Sequence, residues 1–417
     1  KKFTIKKFFN RNKLCFNYNM ENYNTQNKTM KGGKLLAEGG YGCVFLPGIN
    51  CDGTSMTSKK YVSKIQRLNN SAKNEIEIGK IIQEINGFNN HFSPVVKHCS
   101  IDIGNIKDDD KNKCTVFKKQ KSKKFILMKM LYIDGIDFID YMIEHKNSAQ
   151  IVRNIINSFN HMLRTLSMLI GKKLIHYDLK GTNILFDNVK QVPLLIDFGL
   201  SIQIKNMNRE NLRDFFYVYA PEYYVWSLEI HYLCYILNKN KEPSVSELKN
   251  IAGDFVKNNK GINKIFSPEF LKQYKKKCEE QLRYYNSIDY NERVEKILNY
   301  WATFDNYSLS IMYLKFLYFI NIEGFHNNPF TIFFSKLLLQ NIDPDPEKRL
   351  TILQTIHTFN GFLYKRNINN SITFELLAEQ FVNKREKISD ALKLAKQNDI
   401  NETKSMKKIF KRKLFET

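Results

Sequence analysis

Apolar and polar positions divide this chain into two stretches with different periods. From Leu35 to Leu131, short apolar runs alternate with glycines and polar turns: KLLAEGGYGCVFLPG, then KYVSKIQRL, then FILMKML. Runs of this length between turn residues predict β-strands. One segment breaks the pattern. Residues 71–86 place Ile76, Ile78, Ile81, Ile82 and Ile85 at near-helical spacing, with Ser71 as a candidate cap. Residues 104–124 are charged and read as a surface insertion. From Asp137 the period lengthens, and Ile155, Phe159, Met162, Leu163, Leu166 and Leu169 mark one face of a helix over 151–170. NILF and PLLIDF flank a turn and predict a small hairpin. Residues 223–304 are mixed and helical, and 374–397 place Leu377, Phe381, Ile388 and Leu392 on one helix face. Leu309–Ile322 is too short to cross a bilayer and contains Lys315, so it reads as a buried helix and no membrane span is expected. Strands first and helices after predict an α+β protein, a small sheet domain packed on a larger helical one.

Length agrees, since 417 residues are long for one compact core. The segments are a basic, Asn-rich extension over 1–29, a small lobe over 30–131, and a helical lobe over 132–363 with an insertion at about 223–304; a basic helical extension follows over 364–417. Lys and Arg outnumber Asp and Glu by 65 to 42, a net charge of +23. Such a charge suits an anionic partner. The excess is spread along the chain, however, so a drift towards Lys and Asn is the preferred reading. The basic ends read as solvated tails rather than contacts for nucleic acid or an anionic surface. Seven cysteines, an odd number with no C-x-x-C pair, argue against a disulfide framework or zinc site and for a reducing, intracellular compartment. The start KKFTIKKFFNRNK lacks the apolar core of a secretory leader.

The chemistry concentrates in two segments nineteen positions apart (197 − 178 = 19): His176-Tyr177-Asp178-Leu179-Lys180-Gly181-Thr182-Asn183 and Asp197-Phe198-Gly199. Asp178 supplies a carboxylate that can orient a substrate hydroxyl and accept its proton. Lys180, two residues on, can stabilise charge on a phosphoryl group. The Asn183 amide oxygen and the Asp197 carboxylate suit Mg²⁺, a hard ion that takes oxygen ligands. A carboxylate, a cation and two oxygen ligands together point to phosphoryl transfer from a nucleotide.

These segments resemble the catalytic loop H-R-D-L-K-x-x-N and the metal-binding D-F-G of protein kinases. Upstream, Leu36-Ala37-Glu38-Gly39-Gly40-Tyr41-Gly42-Cys43-Val44 resembles the Gly-rich loop G-x-G-x-x-G-x-V, with Ala37 in place of the first glycine. The resemblance implies a two-lobed kinase fold, ATP and Mg²⁺ as cofactors, and a protein substrate. It implies that Leu36, Ala37, Gly39, Gly40, Tyr41, Gly42 and Val44 line the nucleotide. Lys64 corresponds to the strand lysine that grips the α- and β-phosphates, in preference to Lys59 and Lys60 at the polar start of that strand. Glu75 is its helix partner, in preference to Glu77 and Glu84. Ala220-Pro221-Glu222 resembles the A-P-E that ends the activation segment, and Asp345–Thr351 the late D-P-x-x-R-x-T, which implies a buried pair between Glu222 and Arg349. Asp305, in a variant of D-x-W-S-x-G, implies a brace for the catalytic loop. Lys180 resembles serine/threonine kinases. The phrase from Glu38 to Pro47, with Cys51 after it, resembles kinases of large nucleocytoplasmic DNA viruses, which implies a host-cytoplasmic or virion location.

Three departures matter. Tyr177 replaces the arginine that in the family binds an activation-loop phosphate, which predicts activity without that phosphorylation. Phe215 stands where the family's threonine would bridge the catalytic aspartate and lysine. The insertion over 223–304 either docks substrate or pads the surface. Enzymes of the aminoglycoside or choline kinase type share part of the pattern but not Lys180, the glycine loop or A-P-E. A pseudokinase scaffold would lack one of Lys64, Asp178 and Asp197, and all three are present.

Overall fold

The computed structural model describes residues 34–38, 42–118, 124–144, 148–321, 329–365, 396–397 and 400–401. The extension over 1–29 and nearly all of the helix predicted over 374–397 lie outside the described residues. The chain forms two compact units, one reaching Phe138 and including Ile184–Gly199, the other built from Ile139–Asn183 and the chain from Leu200 onward.

The first unit opens with β1 (Lys34–Glu38), β2 (Gly42–Leu46), β3 (Tyr61–Arg67), helix α1 (Asn70–Gln83) and β4 (Val95–Ile101). Two short helices follow, α2 (Asp108–Lys113) and α3 (Thr115–Lys118), then β5 (Phe125–Leu131) and β6 (Gly135–Asp137). The first five strands form one antiparallel sheet in the order β1-β2-β3-β5-β4. The cap of α1 is Asn69, whose side chain accepts from the Ala72 N–H at 2.9 Å, and not the predicted Ser71. Ser71 lies inside the first turn and donates instead to the Gly199 carbonyl at 3.2 Å.

The expectation about cysteines fails in this unit. Cys43 is bridged to Cys114 and Cys51 to Cys99. Cys43 and Cys114 sit in an apolar cluster with Phe45, Ile49, Ile65, Ile101, Ile106 and Leu127. A small sheet lobe buries limited apolar surface, and covalent ties supplement such a core. The charged insertion is therefore stapled to the sheet rather than loosely attached.

The chain then enters the second unit through α4 (Phe138–Glu144), α5 (Ser148–Gly171) and β7 (Leu174–Ile175). It returns to the first unit as the hairpin β8 (Ile184–Asp187) and β9 (Val192–Leu195), with β6 paired to β8. The remainder belongs to the second unit: β10 (Ile202–Gln203), α6 (Leu212–Phe215), α7 (Leu228–Lys239), α8 (Val245–Asn258), α9 (Pro268–Ser287), α10 (Tyr290–Asn299), α11 (Phe304–Asn321), α12 (Pro329–Asn341) and α13 (Ile352–Lys365). The predicted face of α5 is the core face. Phe159 sits among Tyr313, Phe334 and Phe359, with edge-to-face ring centroids at 4.9, 4.9 and 5.0 Å. No helix among the described residues is long and apolar enough to cross a membrane.

The stretch over 223–304 is helical and tied into the second unit. Its helices start at strong caps, a Ser244/Glu247 capping box for α8 and Ser267 followed by Pro268 for α9. The Tyr274 hydroxyl donates to the Ile342 carbonyl at 2.6 Å, and the Asn259 amide donates to the Tyr307 hydroxyl at 3.0 Å. Arg349 does not pair with Glu222, which is exposed. It forms a two-pronged pair with Glu229, at 2.6 and 2.8 Å, with both side chains fully buried. Glu229 opens α7 and meets Arg349 inside the core, whereas Glu222 lies on the surface seven residues earlier (229 − 222 = 7).

Candidate active site

In the first unit the site begins with strand register. Val44 opposes Lys64 across β2 and β3, and Ala37 opposes Val44 across β1 and β2, after a bulge at Leu36. Gly42 leaves no room for a side chain, since a Cβ there would lie 2.3 Å from the Ile65 carbonyl oxygen. Gly39, Gly40 and Tyr41, predicted to line the nucleotide, lie outside the described residues. The Lys64 ammonium reaches both Glu75 oxygens, at 2.8 and 2.7 Å, and an Asp197 oxygen at 3.3 Å. Glu77 pairs instead with Lys80 at the surface. Burial alone would lower the Lys64 pKa, but the carboxylates of Asp197 and Glu75 outweigh it and raise the value well above the usual lysine range.

Helix α1 also holds the D-F-G segment. Ser71 and Asn74 both donate to the Gly199 carbonyl, at 3.2 and 3.4 Å, and Phe198 is buried edge-on against Phe92. Asp197 has φ 63, a left-handed conformation that costs an L-residue about 1–2 kcal/mol. These contacts to the residues beside it fix that conformation.

In the second unit Asp178, Lys180 and Asn183 form one buried cluster. The Lys180 ammonium donates to both Asp178 oxygens, at 2.7 and 3.0 Å. The Asn183 amide nitrogen donates to the Asp178 carbonyl at 2.8 Å and to its carboxylate at 2.9 Å. That use of the nitrogen turns the amide oxygen away from Asp178, the orientation a hard cation needs. Asp305, at the start of α11, accepts the His176 and Tyr177 N–H groups at 2.6 and 3.0 Å. Burial raises the Asp305 pKa, opposed by His176 and by these two backbone donors.

Tyr177, with φ 66, is fixed from both ends. Asp305 takes its N–H, and the Trp226 indole donates to its carbonyl at 2.9 Å. Its ring stacks on Trp226 at 4.8 Å and meets Phe216 edge-on at 5.9 Å. Burial, then the neighbouring Cys234, hold its hydroxyl protonated, with the pKa pushed well up.

Sequence reading missed three residues. Glu229 takes the buried pairing assigned to Glu222. Trp226 fixes the Tyr177 backbone, one residue before Asp178. Tyr223 places its hydroxyl 3.2 Å from the Lys180 ammonium. The available signal was the phrase Tyr223-Tyr224-Val225-Trp226-Ser227-Leu228-Glu229, whose apolar density marks a buried segment.

A family model described as the protein kinase domain matches residues 30–359. Over 44 residues the chain is 50% identical to rat mitogen-activated protein kinase kinase kinase 8, a match that spans 11% of this chain and 9% of that protein. Among solved structures, the autoinhibited serine kinase domain of the giant muscle protein titin aligns over 78% of this chain and 77% of its own, with 15% identity and a TM-score of 0.39. The family match runs from β1 into α13 and covers most of the chain, so this chain belongs to the protein kinase family.

Proposed function

We propose that the protein transfers the γ-phosphoryl group of ATP to serine or threonine hydroxyls of other proteins. The observation that carries this reading is the buried Asp178 carboxylate, held in place by Lys180 and Asn183. A carboxylate so fixed orients an incoming hydroxyl and accepts its proton as the new P–O bond forms. Lys180 offsets negative charge on the group in transfer. Mg²⁺, when bound, neutralises phosphate charge; Asn183 offers it an amide oxygen and Asp197 a carboxylate. Lys64 stays cationic across the physiological range, as a partner for the α- and β-phosphates requires. The lysine two residues after the catalytic aspartate supports serine/threonine rather than tyrosine as acceptor. The wording of Glu38–Pro47 supports a source among large nucleocytoplasmic DNA viruses, and two disulfides favour the virion over a reducing cytoplasm.

The test incubates wild type and Asp178→Ala with labelled ATP, Mg²⁺ and a panel of basic, acidic and neutral proteins. Label on serine or threonine that vanishes in the variant is expected. Label on tyrosine alone, or ATP binding with no transfer by wild type, overturns the proposal.

The same site works without activation-loop phosphorylation. At the position of the family's phosphate-binding arginine stands an uncharged tyrosine, and stacking on Trp226 together with the indole hydrogen bond replaces the ionic tie. Replacing Ser201 by Ala and Tyr217 and Tyr219 by Phe is expected to leave turnover within about threefold, because a neutral aromatic contact owes nothing to a phosphate charge. A loss of a hundredfold would refute it.

A further inference from the structure

An ammonium group has three N–H donors. For Lys180, two acceptors are the oxygens of Asp178 at 2.7 and 3.0 Å, and the third is the Tyr223 hydroxyl at 3.2 Å. The Lys180 nitrogen also lies 5.4 Å from the centre of the Tyr223 ring. This hydroxyl is held in place by its neighbours. Tyr223 packs edge-on against Trp226 at 4.9 Å. Tyr224 accepts from Lys315 at 2.7 Å, and the Val225 carbonyl accepts from Ser308 at 2.6 Å. Trp226 donates to the Tyr177 carbonyl at 2.9 Å. Four consecutive residues are thus each fastened to a different partner in the second unit, and the first of them meets Lys180.

We infer that Tyr223 is the positioning residue for Lys180, supplying through its hydroxyl the third acceptor of the ammonium group. The inference rests on the reading of Asp178 and Lys180 as the transfer pair. Its physical content is specific. With the hydroxyl present, all three N–H groups of a buried ammonium have acceptors, and the cation stays fixed beside the Asp178 carboxylate. Without it, one N–H loses its acceptor and the cation shifts. Chemistry then slows, while nucleotide affinity is untouched, because the contact lies on Lys180 and not on the Lys64 cluster.

Tyr223→Phe removes one oxygen and keeps the ring on Trp226. The expected result is a kcat about tenfold lower, the size of one lost hydrogen bond to a charged group, with the KM for ATP within about twofold. The decisive measurement is the double-mutant cycle with Lys180→Met. In the K180M background Y223F is expected to cause no further loss, since a positioning residue has nothing left to position. A Y223F enzyme with kcat within twofold of wild type overturns the inference. So does a loss that persists unchanged in the K180M background, with or without a lower melting temperature, because Tyr223 would then act through the fold. If Asp178→Ala still transfers phosphate, the underlying reading fails. If Asp178→Ala is inactive and Y223F is normal, only this inference fails.

Discussion

In the first unit two disulfides close the loops around the sheet, and Lys64 with Glu75 and Asp197 forms a partly buried ionic cluster. The second unit has no disulfide among its described residues; Cys234 and Cys278 are buried thiols, and burial pushes the Cys278 thiol well up in pKa and so out of reactivity. There the long-range ties are polar and aromatic side chains: Arg349 to Glu229, Asp305 to the catalytic loop, Trp226 to Tyr177. The difference follows from size. A five-stranded sheet with one main helix has little interior, and a covalent bond acts by restricting the unfolded chain, whatever the depth of the core. A helical unit with a deep interior can bury charge, provided each charge finds its partner.

The strongest way to break this comparison is to orphan a buried charge. Arg349→Ala leaves Glu229 unpaired in the core and is expected to lower unfolding free energy by about 3–5 kcal/mol, read by denaturant unfolding of the second unit. A change below 1 kcal/mol would show that the pair is dispensable. Next comes the first unit's covalent tie. Cys43→Ser with Cys114→Ser opens a link across 71 residues and is expected to cost roughly 2–4 kcal/mol in the first unit's transition alone. Loss in the second unit's transition instead would erase the contrast.

A smaller effect tests burial without charge. His231 lies between Trp226 and Phe255, and burial lowers its pKa from the ordinary 6.5 to about 3. The folded state therefore keeps it neutral, while the unfolded chain takes up a proton as pH falls below 6.5. Its contribution to stability is whole at neutral pH and declines through the window from 6.5 towards 3, by about 2 kcal/mol at pH 5. His231→Phe should flatten that acid limb, and an unchanged slope between pH 7 and 5 would count against it. The smallest effect is expected at Glu222. Glu222→Gln, on the surface, should alter stability by no more than about 0.5 kcal/mol, which sets it apart from the Arg349 pair.

Local features were legible in the sequence. The β1–β3 strands, α1, α5 and the β8–β9 hairpin follow from periodicity, and the Lys64–Glu75 contact from the resemblance to the strand lysine and helix glutamate of protein kinases. What stayed hidden depends on distance in space. The letters Ala220-Pro221-Glu222 matched a familiar ending, but the charge that enters the core is the one on the buried first turn of α7. The disulfides escaped because seven cysteines were counted over the whole chain. Four of them, Cys43, Cys51, Cys99 and Cys114, fall within the small lobe predicted over 30–131, and a count over that segment alone finds an even set.

The bridge from Cys43 to Cys114 has a practical consequence. Cys43 directly follows Gly42 in the glycine-rich loop, so the state of one cystine bears on the strand that opposes Lys64. Expression host and buffer then become experimental variables: protein made in a bacterial cytoplasm, or assayed with the customary millimolar dithiothreitol, differs from oxidised protein by covalent bonds beside the nucleotide loop. Nucleotide affinity measured on the two preparations side by side would show whether a kinase assay's routine reductant is inert for this enzyme.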